Sequence, residues 1–127
     1  MEMTRVETDR APAAIGPYSQ AVVVDGWVYV SGQVALDRET GELVSDDVVE
    51  QAEHVLRNMA AILEEAGANM ESVVKATMYL ADMNDFPRVN EVYARHFGNH
   101  RPARAAVGVA ALPKRAAVEM EAVAHRG

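Results

Sequence analysis

The feature that most constrains this chain is a run of apolar residues at helical spacing near its middle. Val48, Ala52, Val55, Leu56, Met59, Ile62, Leu63 and Ala66 recur every three or four positions, which places them on one stripe of an α-helix. Asp46 or Asp47 stands where a side-chain oxygen can accept the first unpaired helical N–H groups. Gly67 stands where a left-handed residue ends the helix. A helix of roughly five turns with a single apolar stripe needs a broad apolar surface to lie against.

The flanking segments supply that surface as strands. Residues 21–24 and 27–31 are β-type runs joined by Asp25-Gly26, a strong hairpin signal. Residues 1–10 read as a polar lead and residues 11–17 as turn-like, and a second reversal falls at residues 37–41. Residues 73–80, rich in β-branched and aromatic side chains, form a further strand. Asn84 or Asp85 is expected to cap a second helix, with Pro87 in its first turn and a stripe of Phe86, Val89, Tyr93 and Phe97. Strands at about residues 104–109 and 117–124 follow, separated by Leu112-Pro113-Lys114. The order β-β-α-β-α-β-β implies an α+β fold with one mixed sheet. Crossovers of one hand place both helices on the same face. The other face is left bare and only partly polar, so burial against another subunit is expected.

Composition narrows the function. The 127 residues suit a single domain over 1–127, and no repeat, linker or low-complexity tract divides them. Lys plus Arg is 12 and Asp plus Glu is 19, a net charge of −7, which argues against general nucleic-acid binding. There is no cysteine, so disulfides, Cys-ligated zinc, iron–sulfur clusters and thiol nucleophiles are excluded. His96 and His100 sit four apart and read as a polar helix end rather than a metal site. No stretch has the length and apolarity of a membrane span, and the lead lacks a signal-peptide core, so a cytoplasmic setting is expected.

Several residues stand out as chemistry. Arg104 opens a small, apolar strand, where a guanidinium presents paired donors to a carboxylate; a surface ion pair is its bland alternative. Ala105, Ala106 and Gly108 beside it take little space, as a pocket floor requires. Ser31-Gly32-Gln33 ends a strand, where glycine admits a ligand to the main chain, or simply marks a bulge. Pro17-Tyr18 offers an aromatic wall, and Asn90 offers a contact from the second helix. On the last strand Val118, Met120, Ala122 and Ala124 share one face, while Glu119, Glu121 and Val123 share the other. If that second face meets a neighbour, a carboxylate enters an interface.

Taken in order, Gly16-Pro17-Tyr18-Ser19-Gln20, Ser31-Gly32-Gln33, Asn84-Asp85-Phe86 with Val89-Asn90, Arg101-Pro102-Ala103-Arg104, Leu112-Pro113-Lys114 and Val118-Glu119-Met120-Glu121-Ala122 resemble the RidA (YjgF) family. The likeness covers about residues 11–124. The resemblance implies a chorismate-mutase-like homotrimer with ligand clefts between subunits. It also implies cofactor-free and metal-free hydrolysis of 2-imino or enamino acids, such as 2-aminoacrylate, to 2-keto acids and ammonia. On family positions, Arg104 is similar to the carboxylate-binding arginine and Glu119 to the acid that places or activates water. Tyr18, Ser31, Gly32 and Asn90 fall on cleft-lining positions, and Ala106 stands where many members carry cysteine. The alternatives are a chorismate-mutase-like rearrangement, which needs a more cationic pocket, and a non-catalytic carboxylate sensor or chaperone-like trimer, which would also use Arg104.

Overall fold

In a computed structural model describing residues 2–127, the central stripe forms α1 (Val48–Glu65). Asp47 caps it, its carboxylate accepting from the Glu50 N–H at 3.0 Å. Gly67, at φ +85°, ends it: Gly67 and Ala68 return their N–H groups to the Glu64 and Leu63 carbonyls at 3.0 and 2.8 Å. All eight residues of the expected stripe are buried.

The strands are β1 (Met3–Val6), β2 (Ala21–Val24), β3 (Trp27–Gln33), β4 (Val73–Leu80), β5 (Ala103–Gly108) and β6 (Val118–His125). They form one sheet in the order β1-β2-β3-β6-β4-β5. Among the described residues only the β4–β5 pair is parallel. α2 (Phe86–Phe97) lies between β4 and β5 in sequence and packs beside α1. Val28 and Val30 of β3, Ala76, Met78 and Leu80 of β4, and the even-numbered residues 118–124 of β6 are buried with the helical stripes in one core. The expected α+β architecture with both helices on one face is therefore present.

Three details differ from the sequence expectation. The lead is not wholly irregular, because Met3–Val6 pairs antiparallel with β2 from Met3↔Val24 to Val6↔Ala21. Only Val6 of that strand is buried, so its four residues carry almost no alternation to read. The second helix is preceded by a 3₁₀ turn capped by Asp82, whose carboxylate accepts from the Asn84 N–H at 2.9 Å. Asp85 occupies the N-cap position of α2 but its side chain makes no cap bond, engaging Arg88 instead. The strand ends also move by one or two residues, with β3 running on to Gln33.

The bare face carries Trp27 and Tyr29 of β3, which are 38% and 47% exposed, and Val107 of β5, 41% exposed. His96 and His100 go to separate partners, the Glu53 carboxylate at 2.7 Å and the Val73 carbonyl at 2.6 Å, in keeping with a polar helix end. No helix among the described residues is long and apolar enough to cross a membrane. Replacing Gly67 by Ala puts a Cβ in the left-handed region and should cost about 1–2 kcal/mol of unfolding free energy. An unchanged urea midpoint would show that this turn does not set the end of α1.

Candidate active site

The site is built from two groups of side chains. The first gathers around Arg104 on β5, the edge strand. Phe86, Asn90 and Tyr93 follow one another at four- and three-residue intervals on α2, so they share a face. Asn90 Oδ1 accepts from an Arg104 Nη1 donor at 2.6 Å. The guanidinium carbon lies 4.8 Å from the Tyr93 ring centre and 5.3 Å from that of Phe86. Asn90, Tyr93, Arg101 and Arg104 line a cleft of about 480 Å³. Arg101 spends donors locally, on the carbonyls of Gly98 and His100 at the end of α2, and is not a second free fork.

The strand contributes main chain to the same edge. Val109 donates its N–H to the Leu80 carbonyl of β4 at 2.9 Å. N–H direction alternates along a strand, so Val107 and Ala105 also face β4 while Arg104 and Ala106 face the open edge. Ala106 is half-buried against the core, and its methyl occupies little of the space beside Arg104.

The second group gathers around Glu119 on β6. Register between β3 and β6 slips between Val30 and Gln33, so the Ser31-Gly32 step is a bulge, and Gly32 and Gln33 are also a pocket wall. A Cβ on Gly32 would clash with Glu119 Oε2, so the carboxyl group rests against the space that glycine leaves. Ser31 donates its hydroxyl to the Ser19 carbonyl at 2.6 Å, tying β3 to the segment that carries Tyr18. Gln20 anchors that segment from below: its amide donates to the Thr8 and Pro12 carbonyls at 3.0 and 2.8 Å. Its Oε1 accepts from the Thr8 N–H at 2.7 Å. Tyr18, Gly32 and Glu119, with Ile15 and Lys114, line a cleft of about 570 Å³. Burial, then the neighbouring Glu121 charge, raises the Glu119 pKa above the usual carboxylate value. Glu121 itself accepts a 2.6 Å bond from the Tyr79 hydroxyl.

Thus the seven residues singled out in the sequence fall into two sets: Arg104, Asn90 and Ala106 at the helix-side edge, and Glu119, Gly32, Ser31 and Tyr18 at the bare face. The sheet register keeps the sets apart. Arg104 aligns with Ala76 and Ala122, whose side chains are buried beneath the helices, whereas Glu119 aligns with Tyr79 and shares its side of the sheet. Phe86 and Tyr93 read in the sequence as core only, yet their rings flank Arg104 as well. Their spacing around Asn90 was the available signal.

The fold defines a small α+β protein with one mixed sheet and two helices on one face, with a guanidinium and a carboxyl group on opposite sides of that sheet. The chain belongs to the family described as endoribonuclease L-PSP, the RidA (YjgF) family, whose model matches residues 8–126. It is 53% identical over 122 residues to human 2-iminobutanoate/2-iminopropanoate deaminase, covering 96% of this chain and 89% of that one. RidA from the Antarctic bacterium Psychrobacter superposes with a TM-score of 0.91 at 48% identity, over 96% of this chain and 98% of the other. Escherichia coli TdcF with bound serine superposes with a TM-score of 0.92 at 42% identity, over 98% and 99% of the two chains.

The raised Glu119 pKa has a signed consequence for stability. The native state holds that proton more tightly than the unfolded chain, so ionisation costs stability as pH rises through the native pKa. Glu119→Gln should therefore raise the melting temperature at pH 7, with the gain vanishing on acidification below the ordinary value of 4.5. A gain that persists unchanged into acid would assign the effect to packing instead.

Proposed function

We propose that this protein hydrolyses 2-imino acids, including the tautomer of 2-aminoacrylate, to 2-keto acids and ammonia. We further propose that it does so as a homotrimer, each cleft joining the Arg104 half of one chain to the Glu119 half of the next. The observation that carries this reading is the separation of the half-sites. Among the described residues Arg104 has no carboxylate partner, Glu119 is a carboxyl group with a raised pKa, and the two lie on opposite sides of one chain's sheet. The names of relatives near 53% identity support the reaction class. The serine bound by the Escherichia coli relative is a small α-substituted carboxylate of the matching size.

The chemistry asks little more of the protein. The carbon of a protonated imine is already electrophilic, so the tasks are to hold the carboxylate, to place water, and to move protons. Arg104 holds the carboxylate through charge-assisted hydrogen bonds, each worth on the order of 1.5–3 kcal/mol net. The outward N–H of Ala106 adds a neutral donor at the same edge. Glu119 takes a proton as water adds to the imine carbon, giving a tetrahedral adduct with hydroxyl and amino groups on one carbon. Returning that proton to the amino nitrogen lets ammonia leave and the carbonyl form. Water is consumed, ammonia is released, and the carboxylate is unchanged. A carboxyl group with a raised pKa is a stronger base when ionised, which suits the removal of the proton from the adding water.

A ribonuclease reading, suggested by the family's description, draws no electrostatic support from 12 basic against 19 acidic residues. A rearrangement of a dicarboxylate needs a second anion fork, and Arg101 is engaged with backbone carbonyls.

The test is ammonia release from 2-imino acids generated in situ by an amino-acid oxidase. The protein should accelerate it over spontaneous hydrolysis, and Arg104→Ala should lose roughly 2–4 kcal/mol in kcat/KM. Glu119→Gln should keep pyruvate binding and lose turnover. No acceleration by the unaltered protein, with pyruvate still bound, would leave a carboxylate sensor.

A further inference from the structure

An arginine that serves as an anion site needs to be held still, and the common way to hold one is an ion pair. That solution has a drawback here. A carboxylate lying against the guanidinium would compete with the ligand's carboxylate for the same donors. Arg104 is held differently. Among the described residues it has no Asp or Glu within ion-pair distance, although the chain carries 19 such residues. Each of its observed partners is uncharged: the Asn90 amide oxygen at 2.6 Å, and the Tyr93 and Phe86 rings at 4.8 and 5.3 Å.

The three groups divide the work. Asn90 accepts from one terminal nitrogen and leaves the other donors free. The rings attract the cation through their electron-rich faces and restrict how its plane can turn. Tyr93 is suited to the role because it is fixed: it is 6% exposed, and its own ring packs on Phe97 with centres 4.5 Å apart. Its hydroxyl is buried and has no hydrogen-bond partner among the described residues, so the side chain's place here is not explained by a bond it makes. Burial also raises the phenol's pKa from its ordinary value of 10.0, against the opposing pull of Arg104 and Arg101, so the ring beside the guanidinium is a neutral group.

From this arrangement we propose that Tyr93 and Phe86 are positioning residues for Arg104. With Asn90 they form a charge-neutral cradle that orients the guanidinium while leaving its full positive charge for a ligand carboxylate. The cradle sets affinity for the carboxylate and not the rate of the chemical step. It rests on the reading of Arg104 as the carboxylate site, given above.

The neutrality of the cradle makes it testable in a way that ordinary packing is not. Asn90→Asp is nearly isosteric and keeps an acceptor oxygen toward Arg104, but it inserts the competing carboxylate. Pyruvate affinity, followed through the Arg104 side-chain NMR resonances of the assembled protein, should fall further in Asn90→Asp than in Asn90→Ala. Tyr93→Leu should weaken pyruvate binding about 5–10-fold and raise KM for the imino acid in proportion, with kcat nearly unchanged; Tyr93→Phe, which keeps the ring, should restore both. Phe86→Leu, at a less buried position, supplies a second test should Tyr93→Leu fail to fold. Asn90→Asp binding pyruvate at least as well as Asn90→Ala would overturn the neutral cradle. A loss confined to kcat, or a Tyr93→Phe variant no better than Tyr93→Leu, would overturn the positioning role. Pyruvate binding is read without turnover, so the cradle can stand or fall separately from the deaminase reading.

Discussion

The two-residue period of the β-strand governs the rest of this structure. Side chains alternate across the sheet, and the register from β6 through β4 to β5 fixes which residues share a side. Glu119 belongs to the bare face and Arg104 to the helix-covered face. No rotamer change carries either across the sheet, because β4, the strand between β6 and β5, is buried at Ala76, Met78 and Leu80. A slip of one residue in β5 would reverse Arg104 and remove it from the Asn90, Tyr93 and Phe86 contacts. The register is therefore as much a part of the candidate site as the charged groups.

What fixes the register is the core. α1 and α2 press their stripes onto one face, and alternate residues of β3, β4 and β6 complete the same buried cluster. Met78 and Met120 are both fully buried and directly opposite in the β4–β6 ladder, and a one-residue slip of that pairing would turn one of the two outward. Burying side chains of this size is worth about 1.5–3 kcal/mol each, so a slipped pairing is costly. On the other face Trp27, Tyr29 and Val107 remain partly open, and Glu119 and Glu121 sit among them. An apolar face of this kind, with a carboxyl group in it, matches the proposal that the site is completed by a second chain.

Much of this was legible in the residues. The stripe from Val48 to Ala66, its Asp47 and Gly67 ends, the hairpin at Asp25-Gly26 and the division of β6 into two faces all follow from local pattern, and local contacts enforce them. β1 was not legible, because four mostly exposed residues owe their strand conformation to pairing with β2 and not to their own side chains. The cap of the second helical region shifted to Asp82 because a 3₁₀ turn precedes α2, and apolar spacing does not reveal such a turn. The motif order identified Arg104 and Glu119 together, but that they lie on opposite sides of the sheet depends on strand order and register. Phe86 and Tyr93 read in the sequence as helix stripe, since an apolar stripe does not reveal that a ring also lies against a neighbouring cation.

The central claim is that a working site takes Arg104 from one chain and Glu119 from another. The most direct measurement combines two inactive variants, Arg104→Ala and Glu119→Gln, by co-expression in equal amounts and assays ammonia release from imino acids. If sites are shared and chains mix at random, about a quarter of the sites pair an intact Arg104 with an intact Glu119, and activity returns in that proportion. Mixed assemblies as inactive as either parent would contradict the account, because a site contained within one chain cannot be repaired by its neighbour.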